Sequence, residues 1–198
     1  MARMSKSFVN AENHKITDAE AVLLKKTVGR RFAAYCSDME MAGRAFENVV
    51  LRLEDGDLEM RIAGVESAVE WMRESTMIRV APTSLETAAA PAGKVDADGT
   101  FVPNAFMSYP VGRRVCGVSV INERTVKTAA NVVASEELVT SRGVVFALDR
   151  GYIAFDKVES LGEVWTIETS FDGSYRPPCQ TKSEEAPEFT TTVEVVQL

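Results

Sequence analysis

Apolar and polar residues alternate most regularly between Val49 and Ile62. Val49, Leu51 and Leu53 alternate with Val50, Arg52 and Glu54; Asp55-Gly56 interrupts; Leu58, Met60 and Ile62 then alternate with Asp57, Glu59 and Arg61. A period of two gives one buried face and one wet face, and Asp-Gly accepts the positive φ of a tight turn, so the stretch predicts a β-hairpin. Val144 to Phe155 predicts a second hairpin, with Gly151 where the first has Gly56. Arg30 to Met41 reads as a strand, with Phe32, Ala34 and Cys36 on one face and Ala33, Tyr35 and Ser37 on the other. Arg114 to Ile121 reads as its counterpart. Cys116, Val118 and Val120 make one face wholly apolar, and Gly117 and Ser119 lie between the apolar ends of the other, which predicts deeper burial. Residues 65–80 read as strand by analogy with 162–169, over a helical turn at Glu66–Arg73, and Thr190 to Val196 as a last β-branched strand. One helix is expected over about 18–27: Thr17-Asp18-Ala19-Glu20 is a capping box, Lys25 and Lys26 suit the last turn, and Gly29 suits the exit.

These elements recur in order. Val28-Gly29-Arg30-Arg31 returns as Val111-Gly112-Arg113-Arg114, each copy is followed by a hairpin, then by Val-Glu-Ser (65–67 and 158–160), then by a tryptophan (Trp71 and Trp165). The series suggests duplication of one small β unit. The expected fold is mainly β, a β-rich α+β class: two tandem, diverged, small antiparallel barrel or sheet units of the SH3-like type, with a short N-terminal helix. Residues 1–15 read as a flexible arm, 16–83 as the first unit, 84–110 as a linker rich in small residues, Pro and Gly, and 111–198 as the second unit. The second unit carries an insertion at about 122–140, read as helix or β meander.

The outer face of the second hairpin (Ala147, Asp149, Tyr152, Ala154, Asp156) has fewer charges than that of the first (Arg52, Glu54, Asp57, Glu59, Arg61). A strand face that sheds charge is expected to be covered, by the rest of the chain before a partner. Charge narrows the function classes. A net charge of −7 argues against sequence-independent nucleic-acid binding. No apolar run has the length of a membrane helix and no apolar segment follows the basic N-terminus, so a cytoplasmic location without membrane insertion is expected. Cys36, Cys116 and Cys179 are too few and too widely spaced for a disulfide framework and read as reduced thiols.

Candidate chemistry is sparse. His14 is the only histidine, so triad and zinc arrangements have little to draw on, and neither metal nor cofactor is expected. Glu54-Asp55-Gly56-Asp57 lacks calcium-loop spacing and reads as a turn. Ser174-Tyr175-Arg176-Pro177-Pro178-Cys179 reads as an extended segment. The best binding candidates are Arg30, Arg31, Arg113 and Arg114, which could face a common groove and grip an anion, with Tyr152 beside them; the plainer alternative is a pair of strand openings with structural ion pairs. The first functional expectation is a non-catalytic cytosolic binding protein, of protein–protein or inhibitor/antidote type. An enzyme or small-anion-binding protein with a site between the copies, drawing on the arginines and Glu66 or Glu159, is the alternative. A small-barrel nucleic-acid binder using Lys25, Lys26, Arg30 and Arg31, with Phe32 and Tyr35 to stack bases, is the third.

Overall fold

A computed structural model of the chain describes residues 8–37, 45–46, 48–54, 56, 59–69, 72–83, 93–95, 101–103, 107–128, 135–157, 165–178 and 188–198. In chain order the elements are β1 (Phe8–His14), α1 (Asp18–Lys25), β2 (Arg31–Ser37), β3 (Ala45–Phe46), β4 (Asn48–Leu53), β5 (Glu59–Val69), β6 (Met72–Pro82), β7 (Gly93–Val95), β8 (Phe101–Pro103), β9 (Met107–Thr128), β10 (Ser135–Leu148), β11 (Tyr152–Lys157), β12 (Trp165–Ser170) and β13 (Phe189–Gln197). The protein is mainly β. Eleven strands form one sheet in the order β3-β12-β11-β10-β9-β2-β4-β5-β6, with β1 added parallel to β10 and β13 antiparallel to β9; β7 and β8 pair separately.

The sheet is continuous and unclosed, so the chain does not build two separate barrels. Strand β9 explains this. Its first residues, Met107 to Arg114, pair with β2, and from Val115 onward it pairs with β10. One strand therefore belongs to both halves, and both contribute to one apolar cluster. Phe32, Leu51, Met60, Ile62 and Ile78 come from the first half, and Val118, Val144, Phe146, Phe155, Trp165 and Ile167 from the second. The sheet curls until β6 approaches β10 and the Trp165 ring lies against Gly64 of β5, where a Cβ would overlap the indole.

The two ladders match in detail. Phe32 faces Leu53, then after an irregularity Ala34 faces Arg52, Tyr35 faces Leu51 and Ser37 faces Val49. Val115 faces Leu148, then after an irregularity Gly117 faces Ala147, Val118 faces Phe146 and Val120 faces Val144. The extra residue falls at Ala33 and at Cys116, the same place in each strand. The amide of Glu54 donates to the Arg31 carbonyl at 3.0 Å, and that of Asp149 to the Arg114 carbonyl at 2.9 Å. Strands β2 and β9 lie antiparallel with Arg31 opposite Arg114, so the two halves meet about a local two-fold at those residues.

The bulges overturn the simple alternation expected for these strands. An extra residue reverses which face the following side chains occupy. Phe32 and Tyr35, not Phe32 and Ala34, therefore join the main core, and Val115 joins Val118 and Val120 in it, while Cys116 is exposed. The tryptophans do not correspond. Val49 faces Ile62 and Val144 faces Phe155, and counting onward across each hairpin puts Trp165 at the position of Ile78. Trp71 and residues 158–160 lie outside the described residues.

Other boundaries also differ. Residues 8–14, expected in a flexible arm, form β1 along β10, and residues 1–7 lie outside the described residues. The expected linker 84–110 contains β7, β8 and the start of β9. The insertion at 122–140 is β wherever it is described: Asn122 to Thr128 extend β9 against Ser135 to Ser141 of β10. Residues 65–80 are strand wherever they are described.

Helix α1 breaks the correspondence between the halves. Thr17 caps it: its hydroxyl accepts from the Glu20 amide at 3.3 Å, and the Glu20 carboxylate accepts from the Thr17 amide at 2.7 Å. Glu20 also accepts from the Val80 amide at 2.9 Å and pairs with Arg79 at 3.3 Å, tying the helix to β6. Leu23 and Leu24 are buried, which contributes about 1.5–3 kcal/mol for each fully buried leucine. The residues before the second tetrapeptide extend β9 along β2, whereas those before the first end this helix. The β9 edge beyond Val118 is taken by β13 instead.

Candidate functional site

The four arginines do not share a groove. Arg31 and Arg114 stand opposite each other on the exposed face, and Arg30 and Arg113 fall on the face shared with Phe32 and Val115. Arg31 donates to the Gly112 carbonyl at 2.7 Å and meets Glu54 at 3.4 Å. Arg113 is the one that reaches a cavity.

That cavity, of about 210 Å³, opens where β2, β9, β11 and the end of β12 converge. Tyr35 of β2 and Tyr109 of β9 are partners across the ladder and stack, with centroids 5.0 Å apart and planes 18° apart. Pro110, Val111, Leu148 and Ile153 complete an apolar wall. Among the described residues Arg113 and Arg150 are the charged ones in the lining, and no carboxylate, histidine or cysteine lines the cavity. The Arg113 guanidinium lies 5.3 Å over the Phe171 ring and 3.9 Å from Asp149. Among the described residues Arg150 makes no ion pair. Phe171, 77% exposed, stands at the mouth.

The hairpin turn holds this arrangement. Gly151 has φ +71, and a Cβ there would overlap the Ser170 carbonyl, so only glycine lets the turn close on the end of β12. This places Arg150 and Tyr152 beside Thr169 and Ser170. The Tyr152 hydroxyl donates to the Glu168 carboxylate. That bond, with desolvation and the charges of Glu168 and Asp172, pushes the phenol up to about 12. Tyr152 therefore stays protonated at neutral pH.

A second polar cluster, in β9, β10 and β11, went unread in the sequence. Arg142 is the extra residue of a bulge in β10, between Ser141 facing Asn122 and Gly143 facing Ile121. A bulge re-aims its side chain, and the Arg142 guanidinium is fully buried between Asp156 (2.8 and 3.0 Å) and Glu123 (2.9 Å). Its carbonyl accepts from the Trp165 indole at 3.0 Å. Burial alone would lower the guanidinium pKa, but the hydrogen bonds and charges of Asp156 and Glu123 raise it. Tyr175 donates to the second Asp156 oxygen at 2.8 Å, and burial with the Asp156 charge pushes its phenol well up. Gly143 makes room, since a Cβ would stand 2.7 Å from Asp156. The fully partnered cluster pins the 171–178 segment over the outer face of the second hairpin, where Ile121, Val145 and Ala154 pack with Tyr152, Tyr175 and Val193. The part of the charge-poor face around Ala154 and Asp156 is thus covered from within the chain, while Ala147 and Asp149 stay exposed.

The remaining candidates are dispersed. His14 lies on β1, 3.1 Å from Glu12. Phe32 is buried in the core and cannot stack a base. Cys36 is buried. Cys179, Glu159, Asp55, Asp57 and the Glu66 side chain lie outside what is described. Among the described residues no group of three His, Cys, Asp or Glu could hold a metal, and no helix is long and apolar enough to cross a membrane. The chain matches no family model, no curated protein and no solved structure.

Proposed function

We propose that the two halves descend from one duplicated β unit, and that the chain is a non-catalytic binding protein whose pocket at their joint takes a small anionic molecule. One observation carries the reading: the cavity draws its walls from both halves, and among the described residues its two charged lining residues are arginines. Arginine forks onto anions and stacks on rings, and both modes are available at Arg113 and Arg150. Among the described residues no histidine or carboxylate in the lining stands ready to activate a hydroxyl. The chain's own cover over Ala154 and Asp156 removes that part of the second hairpin from a protein partner, as the loss of charge there led one to expect.

Thermal-shift titration with a panel of small anions tests this. A binding anion raises Tm with concentration. The double variant Arg113→Gln/Arg150→Gln loses the response. Arg31→Gln/Arg114→Gln, on the opposite face, keeps it. A response that survives the first variant and disappears in the second would overturn the assignment.

A protein partner remains the second reading, favoured by the exposure of Phe171. A complex captured with the full chain and lost in Phe171→Ser, with the anion response intact, would favour it.

A further inference from the structure

We infer that the ligand of this pocket is a flat, singly charged aromatic carboxylate, of one substituted ring or two fused rings. The inference rests on the proposed pocket being the binding site, and it follows from size, wall chemistry and charge.

Size sets the scale of the apolar part. An apolar cavity of about 150 Å³ holds one benzene. A cavity of about 210 Å³ therefore has room for that ring with a substituent or a second fused ring. The walls favour flatness. Tyr35 and Tyr109 are stacked with nearly parallel planes, and the Arg113 guanidinium lies over the Phe171 ring. A planar ring continues either stack without disturbing it.

Charge selects a monoanion. Arg113 is already shared with Asp149 at 3.9 Å. Arg150 makes no ion pair among the described residues and is the guanidinium left to fork onto a carboxylate. The surroundings are acidic beyond the lining: Glu168 accepts from Tyr152, and Asp172 closes a turn on Ser170 with its carbonyl 2.8 Å from the Ser170 hydroxyl. With Asp149, these carboxylates repel a second negative charge at the mouth. A phosphate monoester, close to doubly charged at neutral pH, meets about twice the repulsion that a singly charged carboxylate meets.

Isothermal titration calorimetry on the full chain tests the assignment with 2-naphthoate, 2-naphthamide, 2-naphthyl phosphate and inorganic phosphate at pH 7.5. The expected result is single-site binding of 2-naphthoate, with the amide and the ester each at least about tenfold weaker and inorganic phosphate silent. Arg150→Gln weakens naphthoate about tenfold and leaves the amide unchanged. Thr169→Tyr, at an exposed lining position, blocks both. Tighter binding of the ester or of inorganic phosphate than of naphthoate overturns the carboxylate class and leaves the anion pocket standing. Equal affinity for naphthoate and its amide overturns the charge argument. Silence from every probe, with no response to the wider anion panel, overturns the pocket as well.

Discussion

The two hairpins, β4–β5 and β10–β11, carry the same ladder and the same bulge on the strand beside them, yet they treat one stretch of their outer faces differently. Arg52, Glu54 and Arg61 stand in water. On the other hairpin Ala154 and Asp156 are buried beneath the segment that carries Tyr175. Asp156 occupies the ladder position of Ala63. Covering a β face requires that each charge be removed or fully partnered, because an unpaired buried charge is too costly to keep. The covered part of the second hairpin does both: alanine stands at 154, and its carboxylate, Asp156, meets the forked guanidinium of Arg142, while Ala147 and Asp149 stay exposed.

The largest disturbance of this contrast is expected from Asp156→Ala. It leaves Arg142 buried with half its partners, at a cost of about 3–5 kcal/mol, whereas Arg61→Ala on the first hairpin changes stability by less than about 0.5 kcal/mol. Urea denaturation of both variants measures the difference, and equal losses would contradict the account. Gly64→Ala comes next. Its Cβ meets the Trp165 ring, and overpacking of this kind costs about 1–3 kcal/mol, read as a lowered urea midpoint with a shift in tryptophan fluorescence. Tyr175→Phe removes one hydrogen bond to a carboxylate, at about 1.5–3 kcal/mol if the site stays dry and less if water replaces it. Faster amide exchange confined to residues 171–178 is its signature; uniform acceleration across the sheet is the opposing result.

The smallest effect concerns α1. Burial by itself would raise the Glu20 carboxyl, but the amides of Thr17 and Val80, the Thr17 hydroxyl and Arg79 together hold it below its ordinary value. A depressed folded-state value contributes stability above the unfolded pKa of about 4.3, and the contribution is lost as pH falls through the folded value. The wild-type chain should therefore lose more stability than Glu20→Gln between about pH 5 and pH 3. Parallel melting curves across that window check the sign.

Both hairpins, the last strand and the capping box could be read from the sequence because each depends on a local pattern: alternation, a glycine in a turn, or a threonine three residues before a glutamate. The single sheet could not be read. Nothing local says that Met107 to Pro110 continue β9, or that Phe8 to His14 run along β10. The bulges at Ala33, Cys116 and Arg142 were hidden because an inserted residue leaves composition unchanged and only reverses phase. The candidate site was half visible. The second tetrapeptide pointed to Arg113 and the hairpin to Tyr152, but Tyr35, Tyr109, Arg150 and Phe171 converge from separate strands and turns, which spacing along the chain does not reveal.

Strand β9 gives the protein an unusual divisibility. A chain severed between Thr83 and Met107 would yield two pieces, neither holding a complete interior, each offering the other a long unsatisfied edge. Such pieces are expected to be soft alone and to regain their shape on mixing, so that reassembly could be followed as a bimolecular reaction and used to report the proximity of whatever is fused to them.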